Sequence, residues 1–290
     1  MMQNNNPFSN PELLHPDLAA DIATVEAWQA EHDPSAQVAA TGIASVVHAA
    51  VKEHATANPL EAMSPDASTS FAETLTRSEQ LFARLNLTLP SPDQLVASGV
   101  DFAALGTAHE RMSTEGLEPR FVLAPSLNTG DWQQLYAELE ADQSVNQDGR
   151  IKSGGLYIDD TVSSAWDTLS DVPDSVPVTL NSAAEGSCNW TLRLIPGTNR
   201  PTETNIAHND PNYPDKPTVH EYLTLQASLL QAGEDPIDDS TWTWLNGMFE
   251  NDSQAPVGRW NPDDGRVGLS YDDVGDRDDS LGVRLPVWGP

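Results

Sequence analysis

Residues 261–284 carry the densest chemistry in the chain. They hold seven Asp beside Arg266, Arg277, Arg284, Ser270, Tyr271 and Asn261, and no Glu, Lys, Gln, Met or Trp. The whole chain has 27 Asp and 17 Glu, so a Glu-free stretch this acidic points to a constraint other than folding. Such side chains pair ions and exchange hydrogen bonds, and Tyr and Arg are the types that anchor binding surfaces. Acid–base chemistry could use adjacent carboxylates, and the chain has many: Asp159-Asp160, Asp238-Asp239, Asp263-Asp264, Asp272-Asp273 and Asp278-Asp279. That abundance weakens the signal, and these pairs read as solvated loop acids. The Asp-rich C-terminal loops admit a calcium ion, although their spacing does not match an EF-hand. No other cofactor is expected, and a metal-assisted hydrolase built on these acids is the remotest reading.

Other reactive types give less. The single Cys188 excludes an internal disulfide and a multi-Cys zinc site, and reads as a packed, inert thiol. The seven His at 15, 32, 48, 54, 109, 208 and 220 form no His-x-x-x-His set. His220 opens a helix, where capping or packing suits it better than ligation. There is no Gly-x-Ser-x-Gly elbow and no phosphate-cradling Gly loop with a Lys. Asn86, Asn189 and Asn251 begin glycosylation sequons that mean little without a secretory leader.

The net charge of −30 and pI near 4.2 set the surface in repulsion with nucleic-acid phosphate and with anionic lipid. Neither nucleic-acid binding nor direct membrane insertion is expected. The N-terminus lacks the basic and apolar regions of a signal peptide, and no stretch reaches the ~20 apolar residues of a span. The expected location is the cytoplasm, or a cell or virion surface reached through another component.

These residues need elements to position them. Residues 1–14 read as a loose arm. Leu18, Ile22, Val25 and Trp28 space a helix over 16–32, and Val38, Ile43, Val46, Val47 and Val51 another over 35–56. Asn58–Ser70 reads as a linker. Phe71, Leu75, Phe82 and Leu85 mark a third helix. Ser91-Pro92-Asp93-Gln94 is a helix start, followed by helix again over Asp101–Ser113. Beyond that the pattern changes: seven of eight Trp and fourteen of eighteen Gly lie at residue 130 or later. Short strands are expected at Phe121–Ala124, Gly155–Ile158, Trp190–Ile195, Trp242–Leu245, Val257–Trp260, Val267–Tyr271 and Gly282–Leu285, with helices at Asp131–Leu139 and Thr218–Gln231. Trp242 and Trp244 alternate on one strand face and read as core. The expected class is α+β, with a boundary near residue 117: a helical region 1–117, then a loop-rich, Trp-rich domain 118–290.

Several segments carry a resemblance in order: Gly155-Leu-Tyr-Ile-Asp-Asp160 with Ser164-Ala-Trp166, Trp190 to Thr198, Pro217 to Gln226, Asp239 to Gly247, Gly258-x-Trp260 and Leu281-Gly-Val-Arg284. Over residues 118–290 the chain resembles the variable proteins of diversity-generating retroelements, which use a C-type-lectin fold, and is similar to the formylglycine-generating-enzyme type of that fold. The resemblance implies that an error-prone reverse transcriptase rewrites the 3′ end of the gene at template adenines. Asn codons ending in a pyrimidine then reach Asp, Tyr, Ser, Gly, Arg, Val, Leu and Pro, but never Glu, Lys, Gln, Met or Trp, the types missing from 261–284. It implies a variable region at about 257–288. It also implies a fixed scaffold of Trp242, Trp244, Trp260, Val267, Leu281, Gly282 and Arg284. The displayed ligand-binding set is Arg259, Asn261, Asp263, Asp264, Arg266, Ser270, Tyr271, Asp272, Asp273, Asp276, Arg277, Asp278 and Asp279. Oxidation of a substrate Cys depends in the enzyme relatives on a cysteine pair, and this chain has one Cys.

The expected function is therefore non-enzymatic ligand binding, with an unknown protein or surface ligand as partner and an adaptor or assembly contact through residues 1–117. The alternative is a structural or virion-associated protein that shares the fold without diversification. Seven Asp against four Arg over 259–284 favour a cationic or hydrogen-bond-rich target.

Overall fold

The computed structural model describes residues 59–169, 171–180, 188–249 and 252–287. The expected arm, the helices over 16–32 and 35–56, and Trp288 lie outside them. Pro59–Pro290 forms one compact unit of mixed helix and sheet.

The expected linker is folded. A 3-10 turn spans Pro59–Ala62, and Ser64 caps α1 (Pro65–Phe82), its Oγ accepting from the Ala67 amide at 3.4 Å. Pro65 suits the first helical position because its missing N–H would have had no partner there. α1 buries Ala67, Phe71, Leu81 and Phe82. α2 (Pro92–Ala97) starts on a full capping box between Ser91 and Gln94, and α3 (Phe102–Thr114) starts on Asp101.

The chain does not divide at residue 117. Phe71 meets Phe102 at 5.2 Å and Phe121 at 5.4 Å, and Phe82 meets Trp190 at 5.2 Å, all edge to face. These rings join the helices before 117 to the strands after it in one apolar core. Aromatic rings bury too much surface for either part to be left open.

Two sheets follow. The first is antiparallel, in order β1 (Pro119–Pro125), β4 (Asn189–Pro196) and β3 (Val178–Leu180). Helix α7 (Val219–Gln231), capped by a Thr218–Glu221 box, packs on β1, and α4 (Thr129–Ala141) packs on α7 and on the strand that begins at Leu156. Two short helices, α5 (Asp160–Ser164) and α6 (Trp166–Leu169), follow β2 (Leu156–Ile158).

The second sheet has six strands, in order β2, β8 (Arg266–Asp273), β7 (Gln254–Asn261), β6 (Trp242–Trp244), β9 (Leu281–Val283) and β5 (Glu203–Thr204). β2 runs parallel to β8, and β6 parallel to β9; the other pairs are antiparallel. The acidic C-terminal segment is thus mostly a hairpin, β7–β8, in the middle of a sheet. One sheet face carries Leu156, Ile158, Trp260, Val267 and Leu269 into the main core. At one end of the opposite face Trp244, Ala255, Val257, Leu281 and Val283 form a second small core, with Ile206 and Tyr213 packed against it.

Candidate functional site

The hairpin register sorts the C-terminal residues before any chemistry is considered. Partners across a ladder share a face, and neighbours along a strand alternate. β7 and β8 pair Arg259 with Gly268, Asn261 with Arg266 and Val257 with Ser270. β2 and β8 pair Tyr157 with Gly268. β6 meets β7 at Thr243–Gly258 and Trp244–Val257, which sets Trp242 next to Arg259. Tyr157, Gly268, Arg259 and Trp242 therefore form one lateral row across four strands. Arg266 and Ser270 flank Gly268 along β8.

Both arginines on this row lie on aromatic rings. The Arg259 guanidinium carbon sits 4.6 Å from the Trp242 ring centre, and that of Arg266 sits 4.9 Å from the Tyr157 ring centre. A cation–π contact of this kind holds the guanidinium over the ring and leaves N–H groups for other partners. Arg266 also meets the Asp264 carboxylate at 3.1 Å. Arg259 forms no ion pair among the described residues, whereas Arg77, Arg84, Arg120, Arg150, Arg193, Arg266, Arg277 and Arg284 all do. At Gly268 nothing lies within 4 Å of where a Cβ would be, so the middle of the row is open.

None of the thirteen residues expected to be displayed is buried, but they do not form one surface. Arg259, Arg266 and Ser270 share the row's face. Tyr271 belongs to the other face, where it packs edge to face on Phe249 at 5.7 Å. Asn261 and Asp264 are engaged in the hairpin turn. The Asn261 side-chain oxygen accepts from the Asp263 and Asp264 amides at 3.1 and 3.3 Å, and its amide donates to Asp264 at 2.9 Å. Gly265 completes the turn at φ +63°.

The third group, 272–279, is the end of β8 and the loop that follows it. Asp278 is exposed and bonds within its own loop, its Oδ1 accepting from the Ser280 hydroxyl and amide at 2.6 and 2.7 Å, and these bonds lower its carboxyl from its ordinary value. Arg277 reaches Asp210 at 3.4 Å, and the Asn205 amide donates to the Asp278 carbonyl at 3.0 Å, tying this loop to residues 205–210. Partial burial raises the Asp272 carboxyl, and the neighbouring Asp276 adds to the rise. Asp263, Asp273, Asp276 and Asp279 are exposed.

Of the expected scaffold, Trp244, Trp260, Val267, Leu281, Gly282 and Arg284 are buried. Trp242 is the exception: half-buried at the edge of the second small core, it supports Arg259. The Asp238-Asp239 pair, read as solvated, divides. Asp238 is fully buried and accepts from Tyr222 Oη at 3.1 Å, Thr241 Oγ1 at 3.0 Å and Thr243 Oγ1 at 2.8 Å. Its carbonyl accepts from the Trp260 amide at 3.2 Å. Arg284 completes this hub and also donates to the carbonyls of Pro196, Thr198 and Asn199. The hub joins α7, β6, β7 and the end of β9, so it fixes the sheet beneath the row.

Tyr157 and Gly268 were absent from the expected site. Tyr157 is 44% exposed, and its position is set by a parallel pairing between segments more than a hundred residues apart, which no local pattern reveals. A glycine inside a strand was a usable signal, since it marks weak packing or a close approach.

Elsewhere the reactive types are quiet. Burial pushes the Cys188 thiol up to about 11. His220 is buried with its Nδ1 accepting from Trp132 Nε1 at 3.0 Å. Among the described residues no group of three or more His, Cys, Asp or Glu is placed to share a metal ion. No described helix is long and apolar enough to cross a membrane. A small concavity of about 50 Å³ between α1, β1 and α7 is lined by Arg77 and Arg120, both paired to Glu234. In comparisons with known proteins the chain matches no family model, no curated protein and no solved structure.

Proposed function

We propose that this chain is a non-enzymatic binding protein that presents a rewritable surface on its C-terminal hairpin, as the variable proteins of diversity-generating retroelements do, on a C-type-lectin fold. The observation that carries the reading is the split within one short stretch. Over 257–284 the thirteen residues of the expected displayed set occupy half-buried or exposed positions, while Trp260, of a type that pyrimidine-ended Asn codons cannot reach, is buried. Val267, Leu281, Gly282 and Arg284 are buried with it. A surface open to rewriting needs a frame that does not depend on it. The buried Arg284–Asp238 hub and the enclosed hairpin supply such a frame. The lectin fold is supported by the mixed sheet, the helices α4 and α7, and the return of the C-terminal strand β9 to an inner position between β6 and β5.

Sequencing the DNA beside the gene tests this. The expected result is a near-identical repeat of the 3′ end, with a reverse-transcriptase gene nearby and with differences confined to template adenines. A neighbourhood with neither feature, and sibling genes drifting at 261–279 without codon bias, would instead favour the structural or virion-associated role.

A further inference from the structure

The charge count of the C-terminal segment and the charge of its open sheet face have opposite signs. Across 259–284 acids outnumber arginines, and this alone points to a cationic target. The register removes most of those acids from the row. Asp264 turns to Asn261 and Arg266, Asp278 turns to Ser280, Asp272 shares the row's face but stands two face positions beyond Gly268, and Asp273, Asp276 and Asp279 lie at the end of β8 or beyond it. What stands over the middle of the sheet is Arg259 on Trp242, Arg266 on Tyr157, and Ser270, around the unoccupied space at Gly268.

We propose that this row is a subsite for carboxylate side chains of an acidic protein segment, seated over Gly268 between Arg259 and Arg266. The proposal rests on the reading of this surface as a binding site. A carboxylate is planar and matches the guanidinium fork with two parallel N–H···O bonds. The ring contacts hold each guanidinium in place before a ligand arrives, so less freedom is lost on binding. Adjacent strands lie ~4.8 Å apart, so Tyr157 and Arg259 stand roughly 10 Å apart with glycine between them. That gap is about two strand spacings wide, a width that suits an extended segment. The row is edged by Tyr and Trp beside Arg, the residue types that anchor protein interfaces. The overall charge of −30 repels an acidic partner at a distance, but salt screens that field beyond ~8 Å, whereas contact with the two arginines is short-ranged. Ser270 adds a hydroxyl donor on the same strand.

The test uses the full chain and four probes: a Glu/Ser peptide, a Lys/Ser peptide and a Tyr/Ser peptide of equal length, and a soluble polyuronate. NMR signals of the Gly268 amide and Trp242 indole are followed during titration. The Glu/Ser peptide should move both, and Arg259→Gln or Arg266→Gln should each weaken it by about tenfold. The indole signals of Trp132 and Trp190 report whether a variant remains folded. Gly268→Leu, which fills the floor and keeps both arginines, should weaken the same peptide comparably.

Binding of the Lys/Ser or Tyr/Ser peptide at these signals without the Glu/Ser peptide would overturn the proposal and leave the surface reading standing. Binding of the polyuronate alone would overturn the protein source. Silence from all four probes would overturn the proposal and count against the surface reading as well. Glu/Ser affinity unchanged by both arginine variants would likewise overturn it.

Discussion

Arg284 and Asp238 meet twice: Nη2 donates to Oδ1 at 2.7 Å and Nε to Oδ2 at 3.3 Å, with both side chains fully buried. The charges compensate each other, and the remaining donors of Arg284 find backbone carbonyls. Removing one partner strands the other charge in the interior, which costs about 3–5 kcal/mol. Arg284→Met should therefore lower unfolding stability by that order in denaturant titration. A loss below ~1 kcal/mol would mean that Arg284 is not the clamp of the hub.

Arg193 and Glu221 give the opposite case. Nη1 lies 3.4 Å from Glu221 Oε2, yet no nitrogen of the buried Arg193 guanidinium meets hydrogen-bond geometry. The pair is compensated in charge and poorly satisfied in direction. Arg193→Met alone should cost about 3 kcal/mol, because Glu221 is left charged. Arg193→Met with Glu221→Gln should recover most of that loss, since Gln retains the cap on the Thr218 amide. A double variant no more stable than the single one would contradict this account.

Two strand glycines of the hairpin make a contrast in stability. A Cβ at Gly258 would run into the Tyr222 ring, whose hydroxyl is held by Asp238. Gly258→Ala should destabilise by about 1–3 kcal/mol. A Cβ at Gly268 meets nothing. Gly268→Ala should leave stability within about 0.5 kcal/mol. Equal losses at the two positions would show that the register is not the one described.

Acid should weaken the protein through two imidazoles. Burial lowers His220 to about 3 and His208 to about 4, from an ordinary 6.5. In the window between each folded value and 6.5 the unfolded chain binds a proton that the folded chain does not. Stability is thus greatest above 6.5 and falls as pH drops, by roughly 1.4 kcal/mol per pH unit for each group. The geometry agrees at His220, whose Nδ1 must remain an acceptor for the Trp132 N–H. His220→Asn keeps an acceptor and removes the titration. Its stability curve should be flatter between pH 6.5 and 4, and an unchanged slope there would sink the assignment.

Local patterns found most of the elements. The capping box at Ser91 and Gln94 and the strand over Val267–Tyr271 follow from spacing and cap chemistry, and both are present in the structure. Long-range partners were invisible. Asp238 reads as a loop acid until Arg284 arrives from the last strand. Trp242 reads as core until the register brings Arg259 onto its ring. The stretch 58–70 reads as a linker because Pro and Ser are common there, yet Ser64 and Pro65 are a helix start. Within 261–284 polar residue type marks the exposed and half-buried positions in the sequence, Arg284 excepted. Their division between sheet face, turn and loop is not marked there, because a one-residue change of register would exchange the two faces.

β8 has neighbours on both sides over Val267–Leu269, β2 and β7. An outer strand offers a free row of amides and carbonyls to any other chain, and a hydrophobic change there invites fibre-like association. On an inner strand those groups are already engaged. Side chains at 266, 268 and 270 can be exchanged for sticky, charged or bulky ones, and the exchange opens no backbone edge to aggregation around Gly268. If the proposed rewriting occurs, the centre of β8 is a place where side chains can change without freeing a strand edge.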